Sequence, residues 1–111
     1  MAPVSPLGEF EHLLLLAILR LGADAYGVTI ARELEEHAKR RVSRGALYTT
    51  LDRLETKGLV RWKIAPGTRE RGGLPRRCYI VSARGVAALK TSQQILQHMW
   101  RGLDVLKEPL P

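Results

Sequence analysis

Cysteine is nearly absent from this sequence, with Cys78 standing alone. A single cysteine closes no intramolecular disulfide, so nothing in the chain calls for an oxidising compartment. Long apolar runs are missing as well. The longest covers residues 13–19, far short of the roughly 20 residues that span a bilayer. Glu9 and Glu11 precede it, the wrong charge for a signal peptide. The expectation is a cytoplasmic protein with no membrane segment. Catalytic and metal-ligating groupings are also lacking. His12, His37 and His98 fall on different predicted helices without ligand-like spacing, and Cys78 has no evident base beside it. The loop at residues 67–73 faintly resembles a phosphate-binding loop, but it lacks the Lys-Ser/Thr pair and falls between strands. Neither an enzyme, a metal site nor a cofactor is expected.

Acidic residues are scarce relative to basic ones: 11 Asp+Glu stand against 18 Lys+Arg, a net charge of +7. The excess is localised. Residues 39–77 carry 12 basic and 3 acidic side chains, and the remainder of the chain is slightly negative. A basic block inside a near-neutral molecule is the footprint of a polyanion-binding face, although a basic surface can also be merely solvated. The 111 residues, 45% hydrophobic and 26% charged, suit one globular domain with a modest core.

The segment at residues 43–58, SRGALYTTLDRLETKG, organises the rest. Ser43 is a good N-cap, and Leu47, Leu51 and Leu54 recur at the spacing of one buried helix face. Gly45, Thr49, Asp52 and Thr56 fall opposite, with Tyr48 and Arg53 at the flanks. Gly58 closes the helix. Such a helix suits major-groove docking, and it equally fits an ordinary amphipathic surface helix. Upstream, residues 1–6 read as a loose arm, 9–21 as a central core helix and 26–38 as a second helix. The second turns Val28, Ile30, Ala31 and Leu34 inward. Downstream, residues 59–64 and 77–81 read as two strands around a Gly- and Pro-rich loop bearing arginines. The order helix, helix, helix, strand, basic loop, strand is that of a winged helix-turn-helix. Ser82 then caps a long helix to about Lys107, with an apolar seam of Leu89, Ser92, Leu96, Met99, Leu103 and Leu106. That seam predicts pairing with a second copy, or packing on the first helix.

At this point the sequence resembles the PadR family of transcriptional regulators. The resemblance rests on LLLLAILRLG (13–22), YGVTIARELE (26–35), RVSRGALYTTLDRLETKGLV (41–60) and GGLPRRCYIVSARGVAAL (72–89). It covers about residues 7–107, and the single closing helix is similar to the family's short subfamily. Two positions depart from the pattern: Leu74 stands where the wing usually has a basic residue, and Cys78 where an aromatic is common.

The resemblance implies an α+β, mostly α protein: a winged helix-turn-helix at 7–81, a dimerisation helix at 82–107 and a tail at 108–111. It implies a homodimer on double-stranded DNA, with an inverted-repeat operator whose half-sites lie about one helical turn, roughly 34–36 Å, apart. Ser43, Arg44, Gly45, Tyr48 and Thr49 match the exposed part of the family's recognition helix. Arg69, Arg71, Arg76 and Arg77 remain for phosphate or minor-groove contact by the wing. Leu89, Leu96, Met99, Trp100, Leu103 and Leu106 fall on the dimerisation helix. There Trp100 either seals the dimer or stacks a small planar effector. Repression is the family's default mode. The competing expectation is a winged-helix module that binds RNA or protein without operator specificity.

Overall fold

Seven apolar residues in a row cannot all face one side of a helix, and the first helix uses both sides. In α1 (Glu9–Leu21), Leu14, Leu15, Ala17 and Ile18 are sealed inside the domain, whereas Leu16 and Leu19 remain exposed. The computed structural model describes residues 7–67 and 74–103. The arm at 1–6, Arg69 and Arg71 of the wing, Leu106 of the seam and the tail at 108–111 lie outside them.

After a 3-10 turn at Gly22–Asp24 come α2 (Gly27–Ala38) and α3 (Arg44–Thr56). Tyr26 lies just outside α2 as its N-cap. The Thr29 hydroxyl holds that start together, accepting the Tyr26 N–H at 2.9 Å and donating back to the Asp24 carbonyl. Ile30 and Leu34 enter the core, but Val28 is 70% exposed. At about 100° per residue, Val28 points away from both Ile30 and Leu34, so helical geometry overrules its hydrophobicity. Leu47, Leu51 and Leu54 of α3 complete the core with Leu59, Val60, Tyr79 and Ala88.

The strands β1 (Val60–Ala65) and β2 (Arg76–Val81) pair antiparallel, with Val60 opposite Val81 and Trp62 opposite Tyr79. The Tyr79 N–H donates to the Ala25 carbonyl at 2.9 Å, which docks the hairpin on the link before α2. Helix α4 (Ala83–Trp100) is anchored by Ser82. The serine oxygen accepts the Gly85 N–H at 3.0 Å and donates its proton to the Gly58 carbonyl at 2.7 Å.

Two expectations about α4 are corrected. The helix ends at Trp100, not near Lys107, because Arg101 is extended and Gly102 takes φ 78°, a left-handed turn that favours glycine. Leu103 therefore lies past the helix. Leu89 is buried in its own subunit's core, so it does not belong to an outward seam. The exposed large apolar residues of the helix begin six positions later, at Ile95.

Candidate nucleic-acid interface

The amphipathic pattern of α3 becomes a sealed back and an open front. Leu47, Leu51 and Leu54 are buried, and Thr50 joins them by donating its hydroxyl to the Ala46 carbonyl at 2.9 Å. At the helix start, the Ser43 oxygen accepts the Ala46 N–H at 3.1 Å. This cap fixes the direction in which the first turn leaves the domain. Arg44, Gly45 and Thr49 are exposed along that turn, and a side chain at Gly45 would meet open space. Tyr48 is half-buried. Its hydroxyl end presses against Gly27 at the start of α2, and the Arg44 guanidinium carbon lies 6.0 Å from its ring centroid. Of the five predicted recognition-helix residues, Arg44, Gly45 and Thr49 share the open edge, Ser43 orients it and Tyr48 backs it.

The hairpin packs against the C-terminal half of the same helix. Trp62 donates its indole N–H to Glu55 on α3 at 2.8 Å, and Arg77 lies 4.2 Å from the Trp62 ring centroid. Arg77 is exposed, with its guanidinium beside the Tyr79 phenol. Burial pushes that phenol above its ordinary titration range, with Arg77 opposing. Arg76 differs from its neighbour: it is half-buried, with its guanidinium 3.4 Å from the Tyr26 ring centroid. The basic link into α3 is partly neutralised, since Arg40 pairs with Glu9 at 2.9 Å and Arg41 with Glu35 at 3.4 Å.

Behind the open edge, Lys57 at the end of α3 bonds Glu11 of α1 at 2.9 Å. Glu11 also accepts the Gly8 N–H at 3.0 Å. Burial alone would raise the Glu11 carboxyl, but Lys57 and the Gly8 amide outweigh it and hold it below the usual carboxylate range. The sequence pattern gives Tyr26, Gly27, Thr50 and Glu11 no place in the site. Glu11 reads only as one of two acids ahead of the apolar run, and Gly27 only as a glycine opening a helix.

Away from α3 in the chain, Leu16 of α1 and Ile95, Leu96, Met99 and Trp100 of α4 are exposed. Leu7, Leu13, Leu16, Ile95 and Leu96 line an open recess of about 530 Å³ between α1 and α4. Trp100 borders a second recess with His12, Gln93 and Arg101.

Known proteins share this arrangement. The Transcriptional regulator PadR-like family matches residues 15–91. The Transcriptional regulator Rv3488 of Mycobacterium tuberculosis is 38% identical over 96 residues, which is 84% of this chain and 85% of that protein. Among solved structures, a PadR family transcription regulator from hypervirulent Clostridium difficile has the same fold at a TM-score of 0.70. It is 21% identical, covering 89% of this chain and 99% of that one. A padr family transcriptional regulator from Eggerthella lenta reaches 0.66 at 25% identity, covering 92% of this chain and 88% of its own.

Proposed function

This chain belongs to the Transcriptional regulator PadR-like family and so to the DNA-binding regulators of transcription, and from that premise we propose that it acts as a cytoplasmic homodimer on an inverted-repeat operator. One observation carries the reading: Arg44, Gly45 and Thr49 lie exposed on one edge of a helix whose other side is sealed in the core. An edge so held can enter a major groove without reorganising the domain. In this reading Arg44 offers its fork to a guanine or a phosphate, and Thr49 offers a hydroxyl and a methyl. Tyr48 and the Ser43 cap keep that turn in place. Arg77, with Arg69 and Arg71, supplies the wing's charge to phosphate or to a narrow minor groove.

Dimerisation is supported by the exposed apolar residues Leu16, Ile95 and Leu96, which line one recess, with Met99 and Trp100 exposed further along α4, because clustered exposed apolar side chains mark partner interfaces. A two-fold dimer would set two copies of α3 on successive grooves. We take repression as its mode, since a dimer seated over promoter DNA blocks access to it. A small planar effector stacked on Trp100 would shift binding only by favouring one spacing of the two helices over another.

Footprinting on the DNA upstream of its own gene tests the reading. Two protected half-sites about one helical turn apart are expected. Uniform protection without half-sites would instead favour a winged-helix module that binds RNA or protein.

A further inference from the structure

Arg76 and Arg77 are adjacent in sequence and occupy opposite faces of β2, as successive strand residues must. The consequences differ sharply. Arg77 is exposed and lies on Trp62. Arg76 lies 3.4 Å from the Tyr26 ring centroid, and its Nε is closed off from solvent with no hydrogen-bond partner among the described residues. A guanidinium in that position lays its flat face on the ring with its Nε end closed in, so it is not free to swing out toward phosphate.

What Arg76 touches matters as much. Tyr26 caps α2, and the next residue, Gly27, carries the Tyr48 hydroxyl against it. Tyr48 in turn sits within cation–π range of Arg44. The series Arg44, Tyr48, Gly27, Tyr26, Arg76 therefore links the open edge of α3 to the outer end of β2. A two-stranded hairpin has little stiffness of its own. Its other bonds to this link, Tyr79 N–H to Ala25 and Cys78 Sγ to Ala23, lie further down the strand.

We propose that Tyr26 and Arg76 form a clasp that sets the wing's angle to the recognition helix, which makes Arg76 a positioning residue and not a phosphate contact. The inference rests on the DNA-binding reading above. Stacking needs the flat guanidinium, whereas an ammonium serves a phosphate well, so Arg76→Lys separates the two roles.

The test is titration of the full chain against its own upstream duplex at several salt concentrations, with Arg76→Lys, Arg76→Ala and Tyr26→Leu. A clasp predicts that all three lose affinity to a similar extent, about tenfold, between the exposed and the desolvated limits of a cation–π contact. The double variant Tyr26→Leu/Arg76→Lys should lose no more than either single change. The slope of log affinity against log salt should fall by the same amount in all three, because a wing that swings away takes its other arginines off the DNA. Hydroxyl-radical footprints of the variants should lose the wing's minor-groove protection and keep that of α3. A merely destabilised domain would lose both together and would overturn the proposal. So would an Arg76→Lys variant that binds like wild type, or a slope lowered in Arg76→Ala by the roughly 0.9 of one lost phosphate contact while Tyr26→Leu keeps the wild-type slope. Wild-type protein that fails to select its own duplex would overturn the DNA reading itself, an outcome distinct from either.

Discussion

The Tyr48 hydroxyl rests against Gly27 so closely that a methyl group on Gly27 would overlap it. Helices α2 and α3 meet there with no room for a side chain, and the ring that fills the gap backs the exposed edge of α3.

Gly27→Ala is therefore expected to push Tyr48 outward, and overpacking of this kind costs about 1–3 kcal/mol. Urea unfolding would measure it. Adding Tyr48→Phe should restore part of the loss, because the hydroxyl makes the nearest contact and the ring carbon behind it lies 3.0 Å away. No restoration would mean that the strain lies elsewhere.

Glu11 makes stability fall in acid. Its folded carboxyl titrates below the ordinary range, so the unfolded chain binds the proton more readily. The stabilisation is complete above the unfolded value of about 4.3 and disappears as pH drops through the folded value. Glu11→Gln should cost about 1–2 kcal/mol at neutral pH. It should also flatten the stability profile below about pH 5. A variant whose acid sensitivity matches wild type would place the effect on other groups.

Leu89 and Leu96 lie on one helix and should fail in different ways. Leu89→Ala opens the core, with an expected loss of about 2–4 kcal/mol and an unchanged oligomeric state. Leu96→Glu changes a side chain that is 52% exposed, so it should leave the fold intact. In the dimer reading it abolishes self-association, seen as a halved mass by light scattering. A chain that is monomeric before any substitution would contradict that reading.

Most of this architecture was legible in the sequence because strong local rules agreed. Acids and Gly22 bounded α1, Ser43 and the Leu47–Leu51–Leu54 spacing placed α3, and alternation with a Gly- and Pro-rich break marked the hairpin. Sequence and structure part where one local rule runs past another. The apolar spacing of α4 continues through Gly102, but glycine after Trp100 and Arg101 is itself a stop signal. Leu89 shares that spacing yet is buried, because periodicity along one helix does not say where the domain core ends. The stack of Arg76 on Tyr26 was beyond reach, since it joins residues fifty positions apart through tertiary packing alone. Of the recognition-helix residues, sequence pattern placed the open front, but not the support that Gly27 gives Tyr48.

Fluorescence anisotropy of the protein on its own upstream duplex and on a scrambled duplex, at several salt concentrations with Arg44→Ala alongside, tests the central claim most directly. The account predicts tight, selective binding with a steep salt dependence, and loss of selectivity in the variant. Weak binding that is equal on both duplexes and indifferent to Arg44 would contradict it.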